Sequence, residues 1–291
     1  MKTTPILLGL FLASACGAVA GAQDASTPSM PKIIQIQREW IKPGKGGALH
    51  DKSESAFVQA MTKAKFPTHY FALNSMSGKS RALYITPYAS FEAWEKDNKT
   101  IEKNATLASE LENALQSDGE LLDGYDSAVL TYNEELSYKP RPDLSHARYI
   151  EITQFKIRSG HTADFIEATK MVKAAHDKAG TSAHWAIFEI AYGADSGTYL
   201  ALSSDASMSE IDKGYVDQKK WFEAMGESMK KLDELAASGI ESMRSELFSI
   251  NPQQSYVDES WIKADPEFWS PKGPQASSAK PEAAESQPSS R

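Results

Sequence analysis

The sequence is almost without cysteine. Of its 291 residues only Cys16 is one, and it lies near the start of the chain. The body therefore offers no disulfide, no thiol nucleophile and no cysteine-built zinc site. Histidine is sparse too, at six residues. None are paired as H-x-x-x-H or H-E-x-x-H, and no acidic run has EF-hand spacing, so no metal site is expected. There is no P-loop, no dinucleotide fingerprint and no G-x-S-x-G elbow. Basic stripes are missing as well. Lys and Arg number 31 against 39 Asp and Glu, a net charge of −8, which excludes a nucleic-acid footprint. The longest apolar run, Ile6 to Ala13, is too short to span a bilayer as a helix.

That run belongs to a leader. Lys2, the apolar stretch and the small residues Ala20, Gly21 and Ala22 read as a signal peptide over 1–22, cleaved before Gln23. A second reading takes Leu12 to Cys16 as a lipobox with a lipid anchor on Cys16. Either way the expected location is secreted or periplasmic, with no transmembrane helix in the mature chain. Residues 23–32 form a short polar tether.

What the sequence does contain is a repeat. Ile34-Gln-Ile36 aligns with Ile150-Glu-Ile152, and His69-Tyr70 with His184-Trp185. Leu83-Tyr84-Ile85 aligns with Leu200-Ala201-Leu202. Asn133 and Ser137-Tyr138 align with Asn251 and Ser255-Tyr256. The offset drifts only from about 115 to about 118 residues, the mark of a duplicated domain rather than a solenoid. Ile33 to Ile41 alternates as a half-buried strand. A helix follows with Leu49, Ser53, Ala56, Phe57, Ala60, Met61 and Ala64 on one stripe. Two strands form a hairpin around Ser77-Gly-Lys79. Ser90 caps a short helix, a longer one carries Ile101 to Leu115, and Ser127 to Tyr132 closes the unit. The second unit repeats this order. There Ser207 to Glu210 reads as a capping box, and Trp221 to Leu235 mark one long helix. The units span 33–137 and 146–257, joined by a proline-bearing linker, 138–145. The tail, 258–291, carries Trp261, Phe268 and Trp269, apolar enough to pack on the body, and reads as disordered from about 272.

This tandem β-α-β-β-α-β order resembles the dimeric α/β-barrel superfamily, which includes antibiotic-biosynthesis-type monooxygenases and NIPSNAP-like proteins. The resemblance implies an α+β fold. Two ferredoxin-like units would pair their sheets into a barrel with helices outside, making a pseudo-dimer within one chain. It also implies a range of activities, among them cofactor-free oxygenases and heme-degrading enzymes.

Candidate residues fall into three sets. His69 and His184 open equivalent strands, each before an aromatic. They suit a general base or a heme ligand, or else are strand-start histidines bonded to backbone. His50, His161 and His176 lie on helix starts or surfaces and read as solvated. Gln35, Gln37 and Glu39, matched by Glu151 and Thr153, give one strand face a polar character. They form either a wet barrel interior or a hydrogen-bonded sheet interface. Tyr70, Arg81, Tyr84, Trp94, Trp185 and Tyr199 could line an apolar cleft, with Arg81 holding a ligand carboxylate, or they are ordinary core. Asn98 and Asn104 fit the glycosylation pattern. The leading expectation is an exported protein that binds a small, partly apolar molecule without a cofactor. One alternative is a cofactor-free or heme-dependent monooxygenase-like enzyme working through His69 and His184. The other is a surface interaction module that docks through its tail.

Overall fold

The computed structural model describes residues 29–270. The leader, and the part of the tail from 271 onward, lie outside the described residues. Eight antiparallel strands close into a barrel in the order β1-β3-β2-β8-β5-β7-β6-β4. The first half comprises β1 (Ile33–Ile41), α1 (Ala48–Ala64), β2 (Tyr70–Ser75), β3 (Arg81–Tyr88), α2 (Phe91–Lys103), α3 (Ala105–Gly119) and β4 (Leu122–Tyr138). The second comprises β5 (Tyr149–Ile157), α4 (Thr162–Ala179), β6 (Trp185–Tyr192), β7 (Thr198–Asp205), α5 (Met208–Met225), α6 (Ser228–Gly239) and β8 (Ile240–Tyr256). Two short helices, α7 (Glu259–Ala264) and α8 (Pro266–Trp269), follow. No helix of the described residues is long and apolar enough to cross a membrane.

The barrel interior is packed. Ile34 and Ile36 of β1 join Leu73, Leu83, Ile85, Leu130, Ile150, Phe188 and Phe248 in one apolar cluster. An eight-stranded barrel is just wide enough for side chains to fill it. That corrects the expectation of a wet interior. Gln35, Gln37 and Glu39 face the other way, into a cleft beneath the helices.

β4 and β8 are each 17 residues long, far longer than the sequence pattern suggests. Each begins in its own half and ends hydrogen-bonded to the other: β4 reaches β6, where Tyr138 pairs with Trp185, and β8 reaches β2, where Tyr256 pairs with Tyr70. The repeated Asn and Ser-Tyr positions explain the crossing. Register slips at both joints. At each, a serine hydroxyl donates to the asparagine carbonyl four residues back and accepts a neighbouring strand's N–H. Ser137 does this between Asn133 and Ile187, and Ser255 between Asn251 and Ala72. The hydroxyl replaces the backbone partner that the bulge removes.

The long second helix of the second half is two helices, α5 and α6. They part at Gly226, whose backbone turns left-handed at φ +49°, so Trp221 and Met225 sit on one and Met229, Leu232 and Leu235 on the other. Ser207 makes no side-chain cap; the Glu210 carboxylate instead accepts from the Ala206 N–H.

The tail closes one end of the barrel. Trp269 is buried in the barrel cluster, and its Nε1 donates to the Ser145 carbonyl at 2.7 Å. Trp261 packs on Phe71, and Asp265 pairs with Arg148.

Candidate functional site

The strongest concentration of chemistry lies under the first-half helices. A cleft of about 410 Å³ runs between the outward face of β1 and β3 and the helices α1 to α3. Gln35, Gln37, Thr86 and Asn98 supply its polar wall; Phe57, Tyr84, Tyr88 and Trp94 supply its aromatic wall.

Its floor is a buried cluster of Glu39, His50, Glu54 and Asp118. Local structure brings them together from three elements. His50 and Glu54 stand one turn apart on α1, which places them on one face. Glu39 lies on the outward face of β1, and Asp118 in the last turn of α3. His50 Nε2 lies 3.2 Å from Glu39 Oε2, 3.6 Å from Asp118 Oδ1 and 4.0 Å from Glu54 Oε1. Gln254 of β8 donates its amide N–H groups to His50 Nδ1 at 3.1 Å and to Asp51 at 3.0 Å.

The expectation of a solvated His50 is thus corrected: it is 1% exposed. The stripe read on α1 is also rotated. Leu49 is 46% exposed, while His50, Glu54 and Ala60 are buried. The expectation of no metal site rests on spacing motifs alone, and four ligand-type side chains converge here without one. A spacing search could not find them, since Glu39 and Asp118 meet α1 only through tertiary packing. One signal was available in the repeat: where the first-half cleft has Glu39, His50 and, reaching in from β8, Gln254, the matching second-half positions are Phe155, Phe165 and, reaching in from β4, Leu136.

The electrostatics are severe. Burial raises the Glu39 carboxyl above its ordinary range. Burial, then the charges of Glu39 and Asp118, push Glu54 up to about 10. The Tyr70 and Tyr84 phenols are also driven up by burial, with Glu54 adding to it. Both hydroxyls lack a hydrogen-bond partner, as do both oxygens of Asp118 and Oε1 of Glu54.

The equivalent space in the second half is apolar. The Phe155 and Phe165 rings pack tilted at 5.3 Å, and Phe165 meets Tyr199 at 4.9 Å. Leu136 and Ile187 complete the filling. A shallower opening persists above it, lined by Glu151, His176, Trp185 and Trp221.

The sequence-derived candidates separate. Tyr70, Tyr84 and Trp94 share the first-half cleft. Trp185 lines the second-half opening, its Nε1 donating to the Leu136 carbonyl. Tyr199 is buried and donates to Glu189. Arg81 pairs with Glu246 and sits over Phe248, so its guanidinium is not free for a ligand carboxylate. His161 bonds Asp164, and His176 bonds Thr181 beneath Trp185 and Trp221.

His69 and His184 do meet, around a different cavity. It has about 260 Å³, lies at the barrel end and is walled mainly by apolar residues, including Phe71, Phe188 and Trp261. Met30, Pro142 and Asp258 border it, so tether, linker and tail converge there. As placed, His184 has no nitrogen free for heme ligation. Both His184 ring nitrogens are engaged by backbone groups of Ser182 and Ser204, and His69 stacks on Tyr256 at 4.7 Å. Burial lowers the His69 pKa.

No protein-family model matches the chain, and no curated protein sequence is similar enough to count as a relative. Solved structures do share the fold. A Fusobacterium nucleatum protein described as a candidate monooxygenase is 12% identical, with a TM-score of 0.52 over 76% of this chain and 93% of that one. A Candidatus Nitrospira defluvii chlorite dismutase is 8% identical, with a TM-score of 0.45 over 81% and 95%. A Thermus thermophilus heme-binding protein is 12% identical, with a TM-score of 0.40 over 82% and 98%. At 12% identity the similarity to the Fusobacterium nucleatum protein speaks to the fold alone, an α/β barrel with helices around a closed sheet.

Proposed function

We propose that this chain is a single-site, small-molecule-binding α/β barrel, built as two ferredoxin-like units, and that the first-half cleft is its site. One observation carries the reading. Matching positions in the two halves hold Glu39, His50 and Gln254 on one side and Phe155, Phe165 and Leu136 on the other. The apolar version fills its space without orphaned carboxylates, so the fold does not require the polar one. Buried, strongly perturbed ionisable groups beside an open cleft mark a functional-site candidate. The cleft walls suit a flat aromatic molecule bearing hydroxyl or carbonyl groups, which Gln35, Gln37 and Asn98 can meet.

The test is titration with a panel of polyphenols, followed by calorimetry and thermal stability. One equivalent per chain is expected. Thr86→Trp, which fills the cleft, abolishes binding, and Ser203→Trp, which fills the barrel-end cavity, leaves it intact. The opposite pattern transfers the site to the barrel end. That second reading rests on the shared cavity of His69 and His184. Oxygen consumption with a bound polyphenol would make the protein an enzyme of the monooxygenase type. A hemin titration without a Soret shift would remove the heme branch. Export belongs to the proposal as well, and N-terminal sequencing of the mature protein tests it: a start at Gln23 supports the signal peptide, a blocked Cys16 the lipid anchor.

A further inference from the structure

We propose that Glu39, His50, Glu54 and Asp118 bind a divalent first-row metal ion at the floor of the first-half cleft. The ion's role toward a cleft ligand rests on the reading above; its binding does not.

Three carboxylates are buried around one imidazole. Among the described residues, none of the three has a lysine or arginine partner, and His50 is their single ion-pair contact. Burying such charges unpaired is costly, and each group must take up a proton, find a cationic side chain or hold a metal. Asp118 is fully buried, yet neither of its oxygens accepts a hydrogen bond. Tyr84, outside the four, also brings an unpartnered, buried hydroxyl. Carboxylate oxygens normally gather donors when buried, so this set is short of positive charge rather than short of space.

The geometry suits an ion. One ligand atom from each residue lies within 4.8 Å of all the others. Bonds of roughly 2.1 Å in a tetrahedron put ligand atoms about 3.4 Å apart. The His50 nitrogen already stands 3.2 to 4.0 Å from the three oxygens. Closure therefore needs only side-chain movements. One nitrogen and three carboxylates favour Mn²⁺, Fe²⁺ or Zn²⁺; an all-oxygen Ca²⁺ shell would not use the imidazole.

An outer partner is present too. Gln254 holds His50 through Nδ1, while its own Oε1 is unpartnered. Turning the amide, at the cost of the bond it donates to Asp51, lets Oε1 accept the Nδ1–H, so that His50 Nε2 presents its lone pair to the metal. Ligating histidines are commonly fixed in this way. Leu136 at the matching position offers no such contact.

The test uses the full mature protein without a histidine tag. It is stripped with chelator, then titrated with Mn²⁺, Zn²⁺ and Co²⁺, with no organic ligand added. One equivalent per chain is expected, with a rise in unfolding temperature and, for Co²⁺, visible absorption bands. His50→Phe and Glu54→Thr install the matching second-half residues, Phe165 and Thr169. Both should weaken binding beyond the roughly 100-fold that outer partners account for. Gln254→Leu should weaken it about 10- to 100-fold with the four ligands intact, which keeps the proposal testable if either ligand variant fails to fold. Stripped wild-type protein that takes up none of the ions overturns the proposal, and so does unchanged affinity in folded ligand variants. Metal uptake without polyphenol binding would sink the cleft-ligand reading alone. Polyphenol binding by protein that takes up no metal would sink this one alone.

Discussion

Trp269→Ala should cost this protein a large share of its stability, although the residue lies beyond the barrel's last strand. Its ring is 5% exposed and sits in the same cluster as Ile34, Phe188 and Phe248. Removing a buried tryptophan costs about 3–5 kcal/mol. The lost Nε1 hydrogen bond leaves the buried Ser145 carbonyl without that donor, a further cost of about 1 kcal/mol. The expected total is about 4–6 kcal/mol, against a typical stability of roughly 5–15 kcal/mol. In a domain of this size each kcal/mol moves the midpoint by about 2–4 °C, so Tm should drop by roughly 10–20 °C. Trp269→Phe keeps most of the apolar area and should lose only about 1–2 kcal/mol. Urea unfolding followed by far-UV circular dichroism measures both. If Trp269→Ala shifted the extrapolated stability by less than about 1 kcal/mol, with the m-value unchanged, the tail would not be part of the core.

Three further outcomes are expected. Ser255→Ala, and separately Ser137→Ala, should each destabilise by about 1–3 kcal/mol, because each strands a buried strand N–H at a joint between the halves; equilibrium unfolding that stays within about 0.3 kcal/mol of wild type would refute the role of the hydroxyl. Gly193→Ala should cost at least about 1 kcal/mol, since its φ is +84° and an added methyl would collide with the Ser127 carbonyl oxygen; a thermal midpoint equal to wild type would contradict that. His176 has its pKa lowered, first by burial and then by Lys139. The folded state therefore resists a proton that the unfolded chain accepts below about 6.5. Stability relative to His176→Gln should fall as pH drops from 7 to 5, and parallel stability profiles over that range would rule the effect out.

The sequence made some of this legible and concealed the rest for identifiable reasons. Alternation along Ile33–Ile41 and the hairpin turns are local signals, and the elements appear where those signals put them. The Asn and Ser-Tyr pairs were visible as a repeat, but their work at the two joints was not, because a bulge is defined by its partner strand. The extra length of β4 and β8 has the same origin: each is held as strand by pairing across the halves, not by its own propensity. On α1, residue type misled. Leu49 was assigned inward because it is apolar, yet the buried stripe carries His50 and Glu54. A histidine four residues before a glutamate is an ordinary surface pattern until β1 and α3 supply Glu39 and Asp118. Arg81 looked free for a ligand because its partner, Glu246, lies on a strand of the other half.

The closure of the barrel within one chain has a consequence for how such a site is sustained. A barrel assembled from two identical halves would carry every substitution twice, so an acidic floor in one cleft would impose the same burden on the other. Here the halves are free to differ. The β2–β8 and β4–β6 joints bind them into one hydrogen-bonded sheet, and neither can unfold without breaking the other's edge. The aromatic filling around Phe165 can therefore act as ballast for the side that holds Asp118. Division of labour of this kind lets one half carry destabilising buried carboxyls while its twin keeps the whole above the threshold for folding.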